Sequence, residues 1–342
     1  MTAWDRAPVF DHLRALSDDV GVFEHARFDE PRRDLGYCVD DVARALIVLA
    51  RERALAPDLF VIARRCLAFV VEAVAPDGRV HNRRTTDGRF TGRAGVGDWW
   101  GRAAWSLGVA FASLPLSSDT AGALEAFHRV VGRRPRHLRP MAFCALGAAD
   151  VVRILPRDRA ARDVLRDAAE MIRVQPDSEW PWPEPRLHYA NAVLPEAVLA
   201  AGAALHDAKI IERGLEMLSF LLKIETSDGH LSVTGTQGRG PHDHGPQFDQ
   251  QPIEVAAIAD ACARAFRLTG DERWRDAIVM AWAWFTGGND GRTPLFDPET
   301  GAGYDGLTPH GRNENRGAES TLAMLSTYQQ ARRLGVLSTV GT

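Results

Sequence analysis

The residues of this chain best equipped for chemistry fall into five short clusters. Tyr37, Asp40, Asp41 and Arg44 form the first, and Asp98, Trp99 and Arg102 the second. Trp180, Trp182, Glu184, His188, Tyr189 and Asn191 form the third. His244, Asp249, Gln250, Gln251 and Glu254 make the fourth, and Asp305, Asn313, Asn315, Arg316 and Glu319 the fifth. Carboxylates, amides, guanidinium groups and aromatic rings recur together. That set suits a hydroxylated ring ligand, because aromatic faces stack on its C–H faces and charged groups take its hydroxyls in pairs. Two carboxyl groups in unlike environments also serve as acid and base at one bond.

Roles follow from local setting. Glu184 ends a Trp-Pro-Trp-Pro-Glu run whose prolines stiffen the backbone. A partly apolar loop raises a carboxyl pKa, so Glu184 is the expected general acid. Asp249 and Asp41 sit among polar groups at helix starts, which favour the charged form, and either is the expected base. Glu319, in the first turn of an apolar helix, completes the catalytic set. Trp99, Trp180 and Trp182 are expected stacking platforms, and the remaining cluster members are expected to bind substrate. Plainer readings stand beside these. Asp40 caps a helix equally well, and Arg44 is spaced to pair with Asp40 or Asp41 along one helix face. His242 and His244 form only an HxH pair, without HExxH or zinc-type spacing, so no metal or cofactor is expected.

Apolar periodicity is helical almost throughout. It predicts twelve helices, near 5–17, 39–54, 57–75, 98–114, 118–133, 139–155, 158–174, 189–206, 208–223, 252–269, 271–286 and 316–334. Short links at Asp207 and Gly270 imply antiparallel hairpins. Every second helix is rich in Ala and small residues, whereas its partner carries Arg, Asp and Glu. A helix packed on several sides needs small apolar faces, and an outer one needs a solvated stripe. Six such hairpins describe an all-α, (α/α)6 toroid as one domain over 1–342. The five clusters open helices two, four, eight, ten and twelve. Inner helices of a toroid run parallel, so those starts share one mouth, where helix N-termini favour acceptor oxygens. The Arg-Pro-Met-Ala-Phe segment that opens helix six reads as the plain member of the set.

Composition narrows the setting. The chain has 342 residues, 45% hydrophobic and 25% charged, as in a soluble globular protein. A net charge of -4 leaves no basic excess for a nucleic-acid partner. No apolar run reaches membrane-spanning length, and the N-terminus lacks a signal-peptide pattern, so a cytoplasmic location is expected. The four cysteines, Cys38, Cys66, Cys144 and Cys262, are widely separated, and Cys66, Cys144 and Cys262, within apolar helical runs, read as buried free thiols.

The strings GYCVDDVARAL, WPWPE…LHYANAVLPEA, FDQQPIEVAAIADA and LFDPETGAGYDGL…NENRGAES resemble a bacterial family of α/α-toroid, six-hairpin glycosidase-like proteins. Members occur alone or fused C-terminally to family-4 glycosyltransferases, with patterns GYCxDDNAR, WxWFE, FDQQPxEA and NxNxGAEST. The resemblance covers nearly the whole chain. Val42 replaces the family Asn after the Asp pair, and Pro183 replaces the Phe before Glu184. The resemblance implies carbohydrate metabolism, with a saccharide substrate and a glycosyltransferase as a further partner. An inverting glycoside hydrolase is the leading expectation. A sugar epimerase, a glycoside phosphorylase and a non-catalytic glycan-binding partner are the alternatives.

Overall fold

Small residues run through every second helix, and those are the helices that meet at the centre of the molecule. The computed structural model describes residues 8–52, 54–115, 117–175 and 179–337. Its helices are α1 (Asp11–Ala15), α2 (Val39–Ala50), α3 (Pro57–Ala73), α4 (Asp98–Ser113), α5 (Ser118–Val130) and α6 (Leu138–Ile154). They continue as α7 (Arg159–Met171), α8 (Val193–Leu205), α9 (Ala208–Ile224), α10 (Pro252–Thr269), α11 (Glu272–Phe285) and α12 (Ala318–Arg333). Each even-numbered helix packs on the next, and α12 returns to α2, which closes an inner ring. The odd-numbered helices α3 to α11 back the helices they follow, while α1 packs on α12. The start of the chain thus supplies the sixth outer helix of an (α/α)6 toroid. Residues 5–7 and 53 of the expected first and second helices lie outside the described residues.

The hairpin corners have local causes. His206 and Gly270 adopt the left-handed conformation that ends a helix, at φ 60° and 69°. Asp207 then accepts from the Lys209 and Ile210 amides, capping α9, and Asp271 accepts from Arg273 to cap α11. Solvated charge keeps α7 outside, where only Ala161, Val164, Leu165, Ala168 and Ala169 are buried. All four cysteines are buried and free. Among the described residues, no helix is long and apolar enough to cross a membrane.

Helices α4 and α6 approach more closely than side chains would allow. A Cβ on Gly108 would stand 2.3 Å from the Gly147 carbonyl oxygen, and one on Gly147 would stand 2.3 Å from that of Ala104. Both obstacles are backbone, so neither helix can yield locally. Gly108→Ala therefore separates the two helices and lowers stability by about 1–3 kcal/mol, read as a lower urea midpoint.

The loops at the mouth contain short antiparallel hairpins that the periodicity did not predict. Tyr37–Cys38, Arg83–Arg84 and Phe90–Thr91 form one small sheet, and Gly306–Thr308 pairs with Gly311–Asn313. Strands of two or three residues are too short for alternation to register in sequence.

Candidate active site

The helix starts of the inner ring surround a cavity of about 500 Å³. At its floor α2 contributes Asp41, only 3% exposed. Its Oδ1 accepts from Arg44 Nη1 at 2.5 Å, and Arg44 Nη2 reaches Glu319 Oε2 of α12 at 2.6 Å. One guanidinium therefore joins carboxyl groups from two helices. Burial pushes the Asp41 carboxyl up to about 6, and Glu319 and Asp40 add to the rise while Arg44 opposes it.

Beside this pair, Arg102 of α4 lies flat on Phe143, 3.9 Å from the ring centroid, with Asp40 Oδ1 3.2 Å from its Nε. Burial, followed by the neighbouring Arg44, lowers Arg102 to about 10. Arg102 Nε and Nη2, Arg44 Nε, Asp40 Oδ1 and Tyr189 Oη are buried without hydrogen-bond partners. Buried polar atoms are normally paired; Arg102 Nε and Asp40 Oδ1 face each other at 3.2 Å, and the other three, beside one cavity, mark a place for a polar ligand. Asp98, at the start of α4, is raised by burial. Asp305 is also raised by burial, although it accepts from the Gly317 amide at 2.8 Å and Ser320 Oγ at 2.9 Å.

Of the residues singled out in sequence, Asp40, Asp41, Arg44, Asp98, Arg102, Tyr189, Gln251, Asp305, Asn313 and Glu319 line this cavity. All five clusters contribute. Glu24, His25, Cys38, Asn82 and Arg83 line it too, from the N-terminal hairpin, the start of α2 and the loop after α3. Nothing in their spacing marked them. Cys38, Asn82 and Arg83 reach the mouth because Tyr37–Cys38 pairs with Arg83–Arg84, and Glu24 and His25 because Phe23 bridges to Tyr37.

Other expected site residues have structural employment. Both Glu184 oxygens accept from Arg139 Nη1 at 2.8 Å, and Glu184 does not line the cavity. Arg139 also donates to the Tyr189 carbonyl and to Asn191 Oδ1, and it sits over the Tyr189 ring. The segment that opens helix six, plain in sequence, thus anchors the whole 180–191 loop. Asp249 is exposed, with φ 56°, and lies outside the cavity. Its neighbour Gln250 is fully buried, donating to Asp290 and accepting from Trp284 Nε1, and this turns the chain at Asp249 outward.

The expected aromatic platforms Trp99, Trp180 and Trp182 do not line this cavity. Trp180 and Trp182 pack on Phe220 of α9, and Trp99 donates to the Val80 carbonyl beneath the Gly95–Gly97 turn. Tyr37 is buried, donates to Asp18 and stacks on Phe23. His188 and His244 are exposed outside the cavity. Asn315 accepts from the Phe28 amide, and Arg316 lies over Tyr304, so both pin the loop that covers α12. Glu254 accepts from the amides of Ala190 and Asn191 and from the Asn191 side chain. Burial and then Glu225 push Glu254 up to about 8.

Glu24, Cys38 and Asp41 offer three metal-ligand atoms within 4.8 Å of one another. Each is already engaged: Glu24 with Arg83, Asp41 with Arg44, and the Cys38 thiol with Asn82. Burial also pushes that thiol up, away from the thiolate a metal takes.

No family model matches the sequence. No curated relative matches it either. Solved structures do match along nearly the full chain. A sugar epimerase from a ruminal bacterium superposes with a TM-score of 0.76 at 13% identity, over 97% of each chain. Cellobiose 2-epimerase from Bacillus thermoamylovorans gives 0.72 at 12% identity, over 94% of this chain and 96% of that one. The GH76 α-mannanase from Bacteroides thetaiotaomicron gives 0.65 at 14%, over 98% and 96%. At such identities the likeness establishes the toroid fold.

Proposed function

We propose that this chain is a carbohydrate-active enzyme that hydrolyses a glycosidic bond with inversion, with Asp41 as general acid and Glu319 as general base. The observation that carries the reading is the pair of carboxyl groups in unlike settings on Arg44. Asp41 is enclosed and raised to about 6, whereas the Glu319 side chain is 36% exposed, and Arg44 pairs with both. An acid must hold a proton near working pH while its partner stays charged. An inverting pair also needs room for water, with carboxyl groups roughly 6.5–9.5 Å apart. The Arg44 guanidinium lies between the two, 2.5 Å from Asp41 Oδ1 and 2.6 Å from Glu319 Oε2.

The unpartnered atoms of Arg102, Arg44 and Tyr189 suit oxygen atoms of a sugar. The structural neighbours include enzymes named for sugar substrates, which supports a saccharide. The resemblance to proteins fused to glycosyltransferases adds a glycosyltransferase as a proposed partner.

A second reading, sugar epimerisation, is favoured by the two epimerases among those neighbours. That reaction removes a proton beside a carbonyl and returns one to the opposite face. Histidines would suit it, yet the one imidazole among the described residues lining the cavity is His25, exposed at the rim. Proton NMR of oligosaccharide and reducing-sugar panels incubated in D2O separates the two. Hydrolysis with inversion yields a first-formed anomer opposite to the bond cleaved. Retention overturns the Asp41–Glu319 roles, and deuterium at carbon 2 without chain cleavage replaces hydrolysis by epimerisation.

A further inference from the structure

Beneath Arg44, Arg102 and Glu319 the axis of the toroid opens into a second chamber of about 60 Å³. Ile47, Val48, Trp105, Phe143, Ile253 and Leu322 form most of its wall. Trp105 and Phe143 lie parallel there, 6.0 Å between centroids. The far end is closed by Arg51, which holds both Asp260 oxygens at 3.0 Å and Ser326 Oγ at 2.7 Å. An apolar space therefore sits between two ionic layers. Its upper layer, Arg44, Arg102 and Glu319, also lines the cavity above, so the two spaces adjoin across that layer.

Two independent features meet at that boundary. Water fits such a wall poorly, because an ordered water needs several polar partners. A methyl-sized group fits it well, since each buried carbon contributes about 0.8 kcal/mol. Meanwhile Arg102 Nη2 and Arg44 Nε are buried donors without hydrogen-bond partners, and Arg102 Nε has only Asp40 Oδ1, 3.2 Å away. The missing partner is an oxygen that accepts without donating. A carboxylate is disfavoured in that place, because Asp40, Glu319 and Asp98 already face Arg102. A neutral carbonyl next to a methyl meets both demands.

We propose that the ligand is an N-acylated amino sugar, whose acyl carbonyl accepts from Arg102 or Arg44 and whose methyl enters the apolar chamber. The inference rests on the saccharide reading above and deepens it to a substrate class. A sugar bearing only hydroxyls leaves the chamber unfilled, and a free amine offers donors where donors are already in excess.

Calorimetric titration of the full chain tests this, with Trp105 fluorescence as a second signal. The probes are N-acetylglucosamine, N-acetylmannosamine and N-acetylgalactosamine, each beside its parent hexose and its free amine. At least one acetamido sugar binds tenfold or more tightly than both of its counterparts. Ala256 and Ala323 line the chamber and keep only 8% and 6% exposure, so Ala256→Leu or Ala323→Leu fills it while the cavity above is untouched. Either variant brings the acetamido sugar down to the affinity of its parent. Two substitutions guard against one that disturbs folding, and equal binding of a parent hexose by variant and wild type shows the upper cavity intact. Parent hexoses binding as tightly as their acetamido forms to the wild type overturn the acyl inference and leave the saccharide reading standing. Undiminished preference in a folded, filled variant overturns it too. Absence of binding by all nine sugars overturns both.

Discussion

Asp41→Asn lowers kcat by about 10²–10⁴-fold, the range expected when a positioned proton donor is removed. The amide keeps the shape and still accepts from Arg44, so KM changes far less than kcat. In the wild type, activity declines as pH rises through about 6, where the buried Asp41 loses its proton, and this limb is absent from the residual activity of the variant. Stability falls over the same window. Asp41 holds its proton more tightly folded than unfolded, so its contribution is complete below pH 3.8 and is lost as pH rises through about 6. At pH 8 the variant, relieved of a buried charge, is therefore at least as heat-stable as the wild type. Thermal unfolding at pH 8 together with the pH profile of kcat checks both halves. A variant that loses activity only by unfolding would return Asp41 to a structural role.

Arg139→Ala produces the largest loss of stability, about 3–5 kcal/mol, because it strands a partly enclosed carboxylate and several backbone and amide acceptors together. Its guanidinium holds both Glu184 oxygens, the Tyr189 carbonyl and Asn191 Oδ1. Tyr189 lines the cavity, so ligand affinity falls with stability. Glu184→Gln, by contrast, keeps one acceptor for Arg139, lowers stability by about 1 kcal/mol and leaves kcat within a few-fold. Urea unfolding and steady-state kinetics on both variants distinguish an anchor from an acid. A thousand-fold fall in kcat for Glu184→Gln, with stability unchanged, would restore Glu184 as the proton donor.

The toroid was legible because its cause is local. Ala and Gly on every second helix answer to crowding at the centre, and the approach of Gly108 to Gly147 is that crowding at its limit. Parallel inner helices then bring the clusters at the starts of α2, α4 and α12 to one mouth, so Asp40, Asp41, Asp98, Arg102 and Glu319 could be named from spacing alone. Which carboxyl is sealed and which is open depends on partners distant in sequence. Glu184 looked suited to acid chemistry on its Pro-rich loop, but Arg139 comes from the preceding hairpin and takes both its oxygens. Asp249 looked like a base at a helix start, but the burial of Gln250 against Trp284 turns it to solvent. The tryptophans of the 180–182 loop meet Phe220 of α9 rather than a ligand. Asn82 and Arg83 enter the cavity through two-residue strands, and Glu24 through the bridge of Phe23 to Tyr37, none of which carries a periodic signal. Burial and pairing are properties of packed neighbours, and for Asp41 and Glu319 those neighbours meet only when α12 closes the ring on α2.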